Sequence, residues 1–175
     1  VAGDGAKKPI GLMKDLDKGT ADANGVVSYA DKDATLDLSK LTPQNASDIF
    51  APALGTMTIN AKGIPVSIDG HVKLLVNPAD YYGLLAKFTS LNAYSLYVTN
   101  LPFGIELISS IGVPKTKAVL FAHNRYWAYM GGMTLGEFDQ TFALQDLQLY
   151  TYKSFYYGKP YDNNVSVVAT LIPEG

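Results

Sequence analysis

Cysteine is absent from the sequence, and arginine and histidine are rare. Arg125 is the only arginine, and His71 and His123 are the only histidines. The lack of cysteine excludes disulfides, thiolate metal sites and cysteine nucleophiles. The formal net charge is −2, so the chain lacks the basic surface typical of nucleic-acid-binding proteins. No apolar run approaches the roughly 20 residues that cross a membrane, so neither a specific nucleic-acid sequence nor a membrane is indicated as a partner.

The chain does have enough apolar residues for a folded core. Hydrophobic residues make up 47% of its 175 residues and charged residues 17%, a composition typical of a globular protein rather than a disordered one. A chain of this length buries roughly 70% of its unfolded surface on folding. We therefore expect one domain, or one domain with a lobe, that needs no covalent cross-link.

Most of the chain carries the short apolar or alternating runs of β-strands. Residues 1–34 are rich in glycine and aspartate, which predicts loops with short strands at 10–13 and 26–29. Further strands are predicted at 72–76, 94–98, 105–109, 117–122, 126–130, 134–139, 147–157 and 165–171. With two or three helices among these strands, the predicted fold class is α+β.

Two helices are predicted from their start signals. Thr42 and Pro43 are typical of a helix N-terminus, and an apolar stripe follows them. Pro52 lies inside that stripe and is expected to end the helix early or to kink it, with Gly55 as the stop. Asn77 directly follows a predicted strand and is itself followed by proline, which predicts a capped second helix.

Tyrosine is unusually frequent, at 12 of 175 residues. Side chains alternate throughout 147–157, which predicts one long strand with Tyr150, Tyr152 and Tyr156 in one row, turned by residues 158–160. Tyrosines in a row stack on sugars, fill protein interfaces or pack within a sheet. We weigh packing and binding equally, and interpret the row as an interface or packing face rather than a catalytic cleft.

The residues of common enzyme chemistry form no recognisable motif. Neither His71 nor His123 has a histidine or carboxylate at helical ligand spacing, and the HExxH and GxSxG motifs are absent. A calcium-binding loop has glycine at its sixth position. In segment 15–19 the glycine is at the fifth, so we interpret this segment as a solvated turn. Glu106 and Glu137 show no pairing in sequence as a glycosidase acid and nucleophile. No catalytic, cofactor or metal site is predicted.

Five short phrases follow one another along the chain. They are GDG at 3–5 with KPIGL at 8–12, VKLLVNPADY at 72–81, a strand pair at 105–121, FDQTFALQD at 138–146, and DNN at 162–164 before the last strand. In their order and spacing they resemble the major capsid proteins of tailed bacteriophages. The resemblance covers most of the chain, and the order of the phrases carries it more than any single phrase.

The resemblance implies the HK97-type capsid fold, an α+β fold with an axial and a peripheral domain. By analogy, 1–14 is the end of the spine region with a linker and 15–125 is the axial domain. Residues 126–163 are then peripheral strands, and 164–175 form a final strand that returns to the axial domain. In the family an N-terminal arm, an E-loop and a spine helix precede the GDG phrase. We therefore expect this chain to be the C-terminal part of a subunit, monomeric or weakly associated by itself.

The resemblance also implies a function without catalysis or cofactors. The chain would be a structural subunit that self-assembles into the pentamers and hexamers of a virion shell in the bacterial host cytoplasm, with scaffold and portal proteins as further partners. The candidate inter-subunit contacts are Tyr150, Tyr152, Tyr156, Pro102 and Phe103.

Three alternatives stay open at this point. An encapsulin-type nanocompartment shell protein shares the implied fold. A carbohydrate-binding module would show coplanar exposed aromatic side chains and sugar-dependent quenching of Trp127. A hydrolase would need His71 or His123 in a cleft beside a carboxylate.

Overall fold

A computed structural model describes residues 1–94, 96–99, 101–132, 134–138, 149–154 and 156–171. Its helices are α1 (Ala46–Met57) and α2 (Pro78–Phe88). The strands are β1 (Lys14–Ala21), β2 (Val27–Asp31), β3 (Leu36–Asp37), β4 (Val72–Val76), β5 (Thr89–Leu91), β6 (Tyr97–Thr99), β7 (Glu106–Ser109), β8 (Lys117–Ala122), β9 (Tyr126–Met130), β10 (Thr134–Phe138), β11 (Leu149–Lys153), β12 (Tyr156–Pro160) and β13 (Ser166–Thr170). This mixture confirms the predicted α+β class. Within the described part of the chain, no helix is both long and apolar enough to span a membrane.

A five-stranded sheet in the order β3-β13-β8-β4-β7 forms the centre of the molecule. β8 is antiparallel to both β4 and β13, whereas β7 and β3 run parallel to their neighbours. Side chains of a strand alternate between the two faces of a sheet. Both faces of this sheet are covered, so its central strands read in the sequence as continuous apolar runs.

The two faces of the sheet bury separate hydrophobic clusters. On one face, Leu74 and Leu120 pack with Phe50 of α1 and Leu84 of α2. On the other face the cluster is made by Leu12, Met13, Leu75, Val113, Val119, Val165 and Val168. The helices therefore cover one face and the N-terminal segment covers the other.

Helix α1 differs from its prediction at both ends. Its N-cap is Asn45 rather than Thr42, and it continues past Pro52 and Gly55 to Met57. An interior proline costs a helix about 3 kcal/mol. The last turn nevertheless forms because Met57 is completely buried against the sheet, so tertiary packing outweighs the local signal.

Helix α2 confirms its start signal. The Asn77 side chain accepts a hydrogen bond from the backbone N of Ala79 at 3.0 Å, and proline occupies the first turn. The Asn77 amide also donates to the Val113 carbonyl at 2.7 Å. One side chain thus caps the helix and ties it to the loop before β8.

The strand predicted at 10–13 is wrong. Ile10 forms only an isolated bridge with Asp4, and the first strand begins at Lys14. The apolar residues of this segment are buried instead beneath the sheet and the antiparallel ribbon that β9 and β12 form, with Ile10, Leu12 and Met13 each 4–6% exposed. The strand predicted at 26–29 is confirmed as β2, which pairs with β1.

The single strand predicted at 147–157 is also wrong. β11 pairs with β10, whereas β12 pairs with β9, so the chain changes partners near Ser154. Residues 158–160, predicted as a turn, are the last three residues of β12. Gly158 is required by packing, because a Cβ there would lie 2.8 Å from the hydroxyl oxygen of Tyr126. The alternation of side chains along 147–157 could not by itself show that β11 and β12 pair with different strands.

Candidate functional site

The β9–β12 ribbon carries a row of exposed aromatic side chains. Tyr129 lies directly opposite Tyr157, and Trp127 opposite Lys159, and directly opposed residues share a face of an antiparallel pair. Tyr161 continues this row, and its ring meets the indole of Trp127 edge to face at 5.3 Å. The four aromatic side chains are 52–70% exposed. We call these four residues with Lys159 the aromatic face.

The opposite side of the ribbon attaches it to the body of the molecule. The Tyr126 hydroxyl donates to the Ile10 carbonyl at 2.9 Å, and the backbone N of Ile10 donates to the Gly158 carbonyl at 2.7 Å. Pro160 on this side is fully buried. Because the inner side is anchored in this way, the aromatic face points away from the body and is available to a partner.

A second apolar surface lies at the end of the β5–β6 hairpin. Asn92 shapes the loop by accepting hydrogen bonds from the backbone N of Tyr94 at 2.9 Å and of Leu96 at 3.0 Å. Four side chains there, which we call the hairpin tip, are 57–85% exposed: Leu91, Tyr94, Leu96 and Tyr97. Clustered exposed apolar groups of this kind mark interaction sites in soluble proteins.

The turn at Pro102–Gly104 presents one of the predicted contact residues. Phe103 is 56% exposed and has a φ of 59°, and Gly104 follows with a φ of 66°. A bulky residue in the left-handed region is strained by about 1–2 kcal/mol. Strain combined with exposure of a large apolar ring is typical of a residue kept for binding rather than for folding.

Replacing Phe103 with glycine is expected to raise the free energy of unfolding by about 0.5–1 kcal/mol, because the relief of strain exceeds the entropic cost of glycine. Phe103→Ala is the matched control, since it removes the ring but keeps the strained backbone. Denaturant unfolding of the two variants makes the comparison. If Phe103→Gly were less stable than Phe103→Ala, the entropic cost of glycine would exceed the backbone strain that it relieves, which contradicts the expectation.

The five predicted contact residues fall in different places. Tyr156 is 62% exposed at the start of β12, and Pro102 is half-buried beside the exposed Phe103. Tyr150 and Tyr152 occupy β11, but their side chains, like all of the phrase at 138–146 beyond its first residue, lie outside the described residues. All five remain predicted contacts.

The aromatic face was not found by the sequence reading. Its signal is an alternation shared by two separate segments: residues 127 and 129 in β9, and residues 157, 159 and 161 in and just after β12. That signal can be read only when the two strands are known to pair. The chain between β9 and β12 passes through β10 and β11, so another hairpin separates the two halves of the aromatic face in sequence.

A polar network holds the ribbon, α1 and the start of β1 together. The Arg125 guanidinium is 7% exposed, and it donates to the Asp162 carboxylate at 2.5 Å and to the Met57 carbonyl at 2.8 Å. Next to this pair, the Asn163 amide donates to the Asp15 carboxylate at 2.7 Å. The network fixes the point from which the ribbon leaves the sheet.

Lys32 occupies a cleft of 230 Å³ beside this network. Its Nζ donates to the Asn163 carbonyl at 2.5 Å and to the carbonyl and hydroxyl oxygens of Ser166 at 3.0 and 2.9 Å. Burial lowers the pKa of Lys32 to about 8, although three nearby carboxylates act in the opposite direction: Asp15, Asp162 and Asp17. All three ammonium donors are used within the protein, so the cleft has a structural role.

The free energy of unfolding is expected to rise between pH 8 and about 10, on the order of 2 kcal/mol. The folded-state pKa of Lys32 lies below its unfolded value, so the unfolded state binds more protons in this window and a rising pH favours folding. Urea unfolding at several pH values measures the slope. Lys32→Met should remove it, whereas Lys62→Met, at an exposed position, should keep it. A flat or falling profile in the unmodified chain contradicts the expectation.

The two histidines lie together without a carboxylate. His71 Nδ1 and His123 Nε2 are 3.3 Å apart, and His123 Nδ1 is 2.8 Å from the His71 carbonyl. Among the described residues, no carboxylate hydrogen-bonds either ring, and no group of three or more metal-ligating side chains occurs. This arrangement gives no support to a histidine–aspartate hydrolase.

The aromatic face bears on the carbohydrate-binding alternative. Its side chains are exposed, as that alternative requires. The rings of Trp127 and Tyr161, however, stand at 85° to each other. A flat sugar-stacking platform needs coplanar rings, so this pair is better suited to an irregular protein surface.

Comparison with known proteins identifies the fold. No family model matches the sequence, and no curated protein matches it. Among solved structures, the capsid of an empty GTA particle aligns with a TM-score of 0.54 at 16% identity, over 98% of this chain and 59% of that one. The chain from Mycobacterium phage Che8 aligns with a TM-score of 0.49 at 19% identity, over 78% of this chain and 53% of that one.

The molecule therefore has an HK97-type capsid fold, as the resemblance in sequence predicted. This chain spans about three-fifths of the length of the GTA capsid chain, at 59%.

Proposed function

We propose that this chain is a structural, non-enzymatic subunit of a phage-type shell that assembles with copies of itself into pentamers and hexamers. The observation that carries the proposal is the fold shared with the GTA capsid over 98% of the chain. The shell would be part of a virion, assembled in the bacterial cytoplasm with scaffold and portal proteins as further partners.

The surfaces of the molecule support self-assembly. The aromatic face and the hairpin tip expose large aromatic and aliphatic side chains on two separate hydrogen-bonded strand pairs. Aromatic side chains are enriched at the centres of protein interfaces. A subunit of a closed shell needs at least two such surfaces, because each copy contacts neighbours on different sides.

The domain bounds belong to the same proposal. We place the axial domain at 15–125 together with 164–175, and the peripheral strands at 126–163. The position of β13 between β3 and β8 supports joining the final segment to the larger part. The β9–β12 and β10–β11 pairs, which form sheets of their own, support a separate peripheral part.

Electron microscopy of the product of the natural gene, with any flanking sequence that the gene encodes, tests the function. Closed shells or rings of capsomers at raised protein concentration are the expected result. A monomer under every condition, with and without scaffold, would overturn the proposal and leave the fold intact. The contents of any shell separate a phage capsid, which packages DNA, from an encapsulin compartment, which holds protein cargo.

A further inference from the structure

The two histidines face each other at the end of the β4–β8 ladder. These strands are antiparallel, with Val72 opposite Ala122, so His71 and His123 form the next cross-strand pair. The backbone N of His123 donates to the His71 carbonyl at 2.9 Å, which extends the ladder to this pair. The pair is therefore held by the rigid central sheet rather than by a loop alone.

The separation of the facing nitrogens matches that of two ligands on one metal ion. Two nitrogens bound to a tetrahedral zinc ion at about 2.0–2.1 Å lie about 3.3–3.4 Å apart. His71 Nδ1 and His123 Nε2 are 3.3 Å apart. The rings are inclined by 71°, with their centroids 4.9 Å apart, so the nitrogens approach each other without the rings stacking.

The other nitrogen of His123 has the partner that a metal-binding histidine needs. A carbonyl oxygen can only accept, so the 2.8 Å contact with the His71 carbonyl places the proton of neutral His123 on Nδ1. The Nε2 lone pair then faces His71 Nδ1, from which it can accept a hydrogen bond until a metal ion takes its place. A hydrogen bond from the remote ring nitrogen to a backbone carbonyl is a usual way to orient a ligating imidazole.

We propose that His71 and His123 bind one divalent transition-metal ion, such as Zn²⁺ or Ni²⁺, with the remaining coordination positions filled by water. Imidazole ligands favour these ions over Mg²⁺ and Ca²⁺. Both histidines are exposed, so the ion has access to them. On binding, a proton on His71 Nδ1 would move to Nε2, so that Nδ1 presents its lone pair to the ion. The site goes beyond the shell function and does not depend on it.

Isothermal titration of the full chain with Zn²⁺ near neutral pH tests the site. One equivalent is expected to bind, and His71→Ala and His123→Ala should each weaken binding by more than about tenfold. His71→Ala is the sharper variant, because it keeps the hydrogen bond from His123 Nδ1 to the carbonyl of residue 71, which His123→Ala removes. The chain has no other histidine and no cysteine, so no second imidazole or thiolate site can replace the pair.

Controls separate a specific site from general cation binding. Asn124→Ala changes a neighbouring exposed residue and should leave zinc affinity unchanged, and Mg²⁺ should give no comparable heat. ¹⁵N NMR of the imidazoles should show His71 changing its protonated nitrogen when zinc is added, a change that a purely structural pair would not make. Zinc binding that survives both histidine replacements, or no binding above the level of Mg²⁺, would overturn the proposal.

Discussion

Replacing Arg125 with methionine is expected to lower the free energy of unfolding by about 3–5 kcal/mol. The guanidinium is buried and hydrogen-bonds both the Asp162 carboxylate and the Met57 carbonyl. Methionine fills similar volume but leaves both acceptors without these donors. The Asp162 carboxylate keeps hydrogen bonds from the backbone N of Asn164 and Ala61 but loses its cation. Removing one partner of a largely buried ion pair is strongly destabilising. Urea or guanidinium unfolding measures the loss.

Two further variants show whether the loss comes from the broken pair. Lys73→Met breaks an ion pair with Glu106 whose carboxylate side chain is 62% exposed, so it should cost less than about 1 kcal/mol. Arg125→Met combined with Asp162→Asn should cost less than the sum of the single changes, because the double variant leaves no bare buried charge. A loss below about 1 kcal/mol for Arg125→Met would show that the network adds little to stability.

Replacing Tyr129 with aspartate is expected to abolish shell assembly while leaving the subunit folded. Tyr129 is 70% exposed on the aromatic face, so the change in unfolding free energy should stay within about 0.5 kcal/mol. If the face is buried between subunits, each contact must then desolvate an unpaired carboxylate, which costs several kcal/mol. This cost recurs at every equivalent contact of a shell.

Sedimentation and electron microscopy of the natural gene product, with and without the substitution and at matched concentrations, measure the assembly. Tyr82→Asp is the matched control, since Tyr82 is 75% exposed on α2 and lies outside the aromatic face. Assembly by the control but not by Tyr129→Asp is the expected pattern. Normal shells from Tyr129→Asp would exclude the aromatic face as an interface, and the hairpin tip would then be the surface to change.

The elements that could be predicted are those with a local cause. Asn77 and the proline after it specify the start of α2 through one hydrogen bond and one fixed dihedral angle. The predicted strands at 117–122 and 126–130 agree with β8 and β9 because an unbroken apolar run and an aromatic-rich run mark them. In each case the signal and the structure lie within a few residues of each other.

The wrong predictions concern features of the structure that depend on residues distant in sequence. The run at 10–13 is apolar because it is buried, not because it pairs. Residues 147–157 alternate as one strand, although β11 and β12 pair with different partners. Met57 extends α1 beyond its proline because the sheet packs against it.

The candidate sites likewise divide into those with a local signal in the sequence and those that depend on strand pairing. Phe103 could be suspected from its place in a proline–glycine turn, and Tyr156 from its aromatic strand. The aromatic face and the histidine pair depend on which strands pair and in which register. Nothing near His71 in the sequence points to His123, because the β4–β8 register alone brings them together.

The position of β13 inside the sheet also sets an order of events during synthesis. β13 is the last strand of the described residues, yet it lies between β3 and β8, which are made earlier. Until the ribosome has translated β13, therefore, β3 and β8 have no strand between them and the sheet stays incomplete. Pairing of strands distant in sequence is slow compared with local folding. A nascent chain thus cannot complete its five-stranded sheet until β13 has been made and has paired.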